Sequence, residues 1–153
     1  HRLYPEHHAT VDLAQSVGAG VEVSAGFRRL EFARQADVFV AGVNKHTGRW
    51  VAGARLLYLP DRTDPAAHTY QVSLRRAFAK ERVVSMHYSH GLPDEEVRDV
   101  NDFEVVSGDT VIGAASLPLR RLVLTVRAGH SRQERFGTEL RQNIFAAALG
   151  FRF

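Results

Sequence analysis

Short segments rich in Val, Phe, Leu and Tyr, cut by turn residues every ~8–15 positions, constrain this chain more than any other feature. Branched and aromatic side chains suit a pleated, half-buried surface. VEVSAGFRRLEF from Val21, DVFVAGV from Asp37, WVAGARLLYL from Trp50, TYQVSLRRAF from Thr69 and ERVVSMHYS from Glu81 each read as a strand. VNDFEVV from Val100, DTVIGAASL from Asp109 and RLVLTVRA from Arg121 continue the series, to about eight strands. Such an order predicts an antiparallel sandwich or barrel. Asn44 to Gly48 reads as a hairpin loop because Asn and Gly tolerate positive φ. Pro60 and Pro65 end the preceding strand by withholding backbone donors.

The two ends carry a different pattern. Residues 1–20 are polar and His-rich, and read as an arm with a short helix over Val11 to Val17. Near the other end, Ser131 and Glu134 have the spacing of a helix-capping box. Phe136, Leu140 and Ile144 fall at i, i+4 and i+8, and Gly150 suits a helix stop. The expectation is an N-terminal arm (1–20), a β-domain (21–130) and a C-terminal amphipathic helix with its tail (131–153).

At 153 residues with 44% apolar and 24% charged residues, one domain with a real core is expected. The chain has no cysteine, which excludes disulfides, thiolate metal sites and cysteine nucleophiles. No uninterrupted apolar run approaches the ~18 residues of a spanning helix, so no transmembrane segment is expected. The chain opens on His1 and its one methionine is Met86, which reads as a processed N-terminus compatible with import into an organelle.

The formal charge is +3, and the basic residues are 18 Arg against 2 Lys. Doublets stand at Arg28-Arg29, Arg75-Arg76 and Arg120-Arg121. A planar guanidinium fork suits phosphate and carboxylate, so these are the candidate interaction residues. A GC-rich coding sequence would also explain the Arg, and both readings stay open.

Chemistry is hinted at in the acidic loops: Asp61 and Asp64 in one, Asp102, Glu104 and Asp109 in another. Clustered carboxylates are the ligands calcium takes, and they also cap local backbone groups in solvated turns. His87 and His90 would face opposite sides of a strand, which argues against a shared metal. No phosphate loop, nucleophile elbow or dinucleotide fingerprint is present. Nucleic acid is not favoured: FRRLEF alone interleaves aromatic and basic residues.

Val100 to Gly113 resembles the third calcium-binding loop of C2 domains, with Asp102, Phe103, Glu104, Ser107, Asp109, Ile112 and Gly113 filling its places. Ala54 to Leu74 is similar to the first such loop, through Asp61, Asp64, Pro65 and Tyr70. Glu104 stands where Asp is usual, and Ala66 to Thr69 separate Pro65 from Tyr70. The resemblance covers residues ~50–120 and implies an antiparallel β-sandwich, C2-like, with a degenerate site. A second stretch, Arg132 to Leu140, resembles the pyrophosphate loop of acyl-CoA-dependent N-acyltransferases through Arg132 and Gly137, with Arg135 where glycine is needed.

The expected function is non-catalytic: a C2-like binding and assembly domain engaging anionic partners through its Arg-rich surface. Those partners would be phospholipid headgroups at a membrane-peripheral surface, or a protein complex. Two alternatives stand beside it. One is a structural subunit of a large organellar assembly, docking through Phe136, Leu140 and Ile144. The other is an acyltransferase-like fragment. No cofactor is expected; calcium is the one ligand the acidic loops would take.

Overall fold

The computed structural model describes residues 7–31, 35–60, 68–91, 105–119, 122–135 and 138–151. These hold β1 (His7–Gly18), β2 (Val21–Glu31), β3 (Gln35–Thr47), β4 (Trp50–Tyr58) and β5 (His68–Ala77), then β6 (Val83–His90), β7 (Val105–Leu119), β8 (Leu122–Arg135) and β9 (Thr138–Phe151). Together they form one nine-stranded sheet in which sequence order is also spatial order. Every neighbouring pair is antiparallel, so the sheet is a continuous meander.

Local turn chemistry explains the meander. The first hairpin turns through Gly18, Ala19 and Gly20, at φ +96°, +48° and +72°. The hairpin expected at Asn44–Gly48 forms, but tighter: Thr47 pairs with Trp50, leaving only Gly48 and Arg49 in the turn. Gly48 has φ +57°, the left-handed conformation such a turn needs. Up to β7 the connections alternate in length, and the last two are equally short. Those at one end comprise residues 19–20, 48–49, 78–82 and 120–121; those at the other comprise 32–34, 59–67, 91–104 and 136–137.

Three expectations need correction here. A sandwich requires two sheets packed face to face, and the strands lie in a single sheet. The segment expected as an amphipathic C-terminal helix is β9, paired with β8 from Arg135↔Thr138 to Leu122↔Phe151. Leu140 and Ile144 fit either reading, because a spacing of four is even and keeps both on one face of a strand too. The stretch expected as a short helix over Val11 to Val17 lies in β1, where Val11 and Leu13 alternate with Asp12 and Ala14.

The registers sort the side chains into two faces. On one lie the buried residues Val38, Val40, Leu59, Thr69, Gln71, Ser89, Thr110 and Ser131. On the other lie nearly all the large apolar side chains left exposed, among them Leu13, Leu56, Val72, Met86, Val111, Val126 and Phe145. Leu140, and Val17 in the β1 bulge, are the exceptions on the strands. We call the face with the buried residues the inner face. The compact apolar core is small: Val38, Val40 and Leu59, with Leu57 against them.

Candidate functional site

The outer face is built from alternate residues. Val23, Ala25 and Phe27 of β2 stand beside Val43, Ala41 and Phe39 of β3, which stand beside Ala54, Leu56 and Tyr58 of β4. β5 and β6 continue with Val72 and Leu74 beside Tyr88 and Met86. β7 to β9 follow with Ala115, Val126 and Ala147, and with Leu117, Leu124 and Leu149. Among the described residues no second layer buries this surface: Leu13 is 70% exposed and Phe145 79% exposed. A continuous apolar surface of this width does not face water on a monomer.

Aromatic rings border the band. Toward the long-connection end, Phe27 and Phe39 pack with centroids 5.2 Å apart, Tyr58 and His68 at 5.0 Å, and His68 and Tyr70 at 6.5 Å. At the short-turn end, the Arg76 guanidinium lies 4.8 Å from the centre of the Trp50 ring and 4.6 Å from that of Phe78. Tyr and Trp concentrate at membrane–water interfaces because one part of the ring is apolar and another polar.

The strand arginines of the outer face with ion pairs are Arg29, Arg132 and Arg141, and Asp109 is hydrogen-bonded there too. Arg29 donates through Nε and Nη2 to both carboxylate oxygens of Asp37, each at 2.9 Å. Arg132 Nη2 donates to Glu139 at 2.6 Å, and Arg141 binds the same carboxylate. Asp109 accepts from Tyr88 Oη at 2.8 Å and meets His90 Nδ1 at 2.9 Å.

The inner face is polar. Arg55, Gln71, Ser89, Thr110, Ser131 and Gln142 form one transverse row across β4 to β9. Within it Thr110 Oγ1 and Ser131 Oγ lie 2.9 Å apart. Elsewhere Asn44 Nδ2 donates to Glu22 at 3.1 Å. A cleft of about 270 Å³ opens over β1 to β4, with Asp12, Ser24, Asn44 and Arg55 among its lining residues. Glycines let the polar side chains lie flat against the sheet. A Cβ on Gly26 would fall 2.2 Å from Asp12 Oδ1, and one on Gly53 would fall 2.5 Å from Asn44 Oδ1. Strand glycines of this kind mark close approach and bending.

These faces separate the residues that the sequence grouped. Arg28 and Arg75 are on the inner face, Arg29 and Arg76 on the outer, because neighbours on a strand point opposite ways. The doublets therefore make no single basic patch. Leu140 and Ile144 lie on the inner face of β9. Asp109 is on the outer face. Arg120, Arg121, Phe136, Asp61, Asp64, Asp102 and Glu104 lie outside the described residues. Among the described residues no cluster of three or more His, Asp or Glu could hold a metal ion. Among the described residues no helix is long and apolar enough to cross a membrane, which says nothing of strands.

Residues 1–96 match the family model described as the YaiO membrane beta barrel domain. The chain belongs to that family. No curated protein and no solved structure gives a match. The match to the YaiO model runs through β1 to β6, and β7 to β9 extend the same sheet.

Membership of the YaiO family overturns several expectations. The chain is not a C2 domain, since the family that it matches is a membrane beta barrel domain. A membrane beta barrel domain also replaces the peripheral binding domain, the organellar assembly subunit and the acyltransferase fragment. Of the supposed pyrophosphate loop, Arg132 to Arg135 are in β8 and Thr138 to Leu140 in β9, with no helix among these residues, and Phe136 and Gly137 lie outside the described residues. The expectation of no transmembrane segment fails because it tested for apolar runs. Membrane strands alternate instead, and lipid meets only every second residue. The adhesion of an anionic membrane surface to an Arg-rich face is likewise withdrawn, since the sheet presents apolar residues outward.

Proposed function

We propose that this chain forms the wall of a transmembrane β-barrel of the outer-membrane type, with the outer face against lipid and the inner face lining its interior. No catalytic role is part of the proposal. The carrying observation is the partition itself: large apolar side chains are exposed on one face, hydroxyl, amide and guanidinium groups stand on the other. In water that arrangement is inverted; in a bilayer it is the stable one, because lipid replaces the missing core.

Strand lengths support this. The strands run from 8 residues in β6 to 15 in β7, and a tilted strand needs ~9–11 residues to cross the hydrocarbon. The alternation of short and long connections also matches, with short turns on the periplasmic side and longer loops outside. The aromatic borders support an interface at each end of the apolar band.

The absence of cysteine makes the test clean. Single variants Leu56→Cys and Val72→Cys, and Gln71→Cys and Ser89→Cys, would be spin-labelled in lipid vesicles. Labels at 56 and 72 should be relaxed by oxygen dissolved in the bilayer, and labels at 71 and 89 by a water-soluble nickel chelate. Equal access of the nickel chelate to all four positions would sink the proposal.

A further inference from the structure

We infer that the inner face makes the barrel interior anion-preferring, so that it passes small anions; the inference rests on the barrel reading above. It comes from how arginines are treated on the two faces. The strand arginines whose side chains are described split evenly. On the outer face all are neutralised or covered: Arg29 by Asp37, Arg132 and Arg141 by Glu139, and Arg76 by the rings of Trp50 and Phe78. On the inner face the guanidinium groups of Arg28, Arg55, Arg75 and Arg127 have no ion pair and no hydrogen bond among the described residues, and Arg28 Nε is buried without a partner.

The difference has a physical cause. A charge facing lipid is costly, so it must be paired. A guanidinium left unpaired must be solvated by something else, and water is the solvent that does it at least cost. The unpaired set therefore marks the inner face as wet. It also fixes the sign of the field there. Against these four cations the described inner face offers two carboxylates, Asp12 and Glu22, and Glu22 already accepts from Asn44.

The placement follows the length of the wall. Arg28 pairs with Val38 toward the long-connection end, and Arg55 sits in the row of Gln71. Arg75 and Arg127 share a further row, through Ser85 and Ala114, toward the short turns. An anion moving along the wall meets guanidinium at three levels, the middle one being the row that Arg55 shares with Gln71, Ser89, Thr110 and Ser131. Charged side chains that line a pore select ions of opposite sign, and low-dielectric walls focus their field.

The experiment is ion selectivity of the full protein in a planar bilayer under a KCl gradient, with insertion checked independently by protease protection in vesicles. The wild type should give a reversal potential of the sign set by chloride. The variants R55E/R75E/R127E and R55Q/R75Q/R127Q should shift it toward potassium, the first enough to reverse its sign. Inserted protein that is cation-selective or does not conduct would overturn this inference and leave the barrel standing. Inserted variants with unchanged selectivity would overturn it too. Failure of the wild type to insert would remove the barrel reading and the inference with it.

Discussion

Arg55 and Leu56 are neighbours in the chain and face different environments. Arg55 stands between Gly42 and Gln71 on the polar face; Leu56 stands between Ala41 and Tyr70 on the apolar one. The same change of residue should therefore have very different effects a single position apart. Leu56→Arg is expected to destabilise the folded protein in vesicles by about 2–4 kcal/mol, the cost of a cation near the bilayer midplane. Arg55→Leu should cost far less. Urea unfolding from vesicles measures both. Glycine contributes at the same scale. Gly53→Val should destabilise by about 1–3 kcal/mol, because the new side chain must displace Asn44 and Ser73. Gly150→Ala, whose Cβ would meet nothing nearer than Val123 O at 3.9 Å, should be close to neutral.

At the scale of elements, β9 carries the main lesson. Its Ala-rich centre, Ala146-Ala147-Ala148, has high helix propensity. Its Leu140–Ile144 spacing suits a helix face. Pairing with β8 along its length outweighs both, since each residue gains ladder bonds and every second one an apolar environment. A scan of single cysteines from 143 to 149 should show lipid access at Asn143, Phe145, Ala147 and Leu149, and aqueous access between them. Access repeating every three to four residues would restore the helix. β1 is the parallel case. Its Val11 and Leu13 are too few to dominate a composition window, yet they fall in register with Phe27 and Ala25. β7 shows the opposite error. The sequence reads as two strands near Asp109, whereas one strand runs from Val105 to Leu119, with a register shift between Val105 and Ser107.

At the scale of the molecule, the described strands form a sheet with two edges, β1 and β9. An odd number of antiparallel strands leaves those edges running in the same direction. Within hydrocarbon, an unpaired edge costs several kcal/mol per backbone group. The full protein in a membrane should therefore pair both. Amide exchange in vesicles is expected to protect β1 and β9 as strongly as β4 and β5; fast exchange confined to the two edge strands would show an open sheet.

The sequence by itself determined the strand-rich class, most strand positions and a hairpin between β3 and β4, though not its tight Thr47–Trp50 turn, because turn residues and alternation act within a few positions. It did not determine the polarity of the fold. Alternation has the same period whether the apolar face packs on a core or lies against lipid, and only the single sheet shows Leu56, Val72 and Met86 left exposed among the described residues. Pairing of charges was equally hidden. Only the register placed Asp37 beside Arg29 and Glu139 beside Arg132, while leaving Arg28, Arg55, Arg75 and Arg127 on the other side. A one-residue step reverses the face a side chain sees, and that step is settled by contacts between strands far apart in the chain.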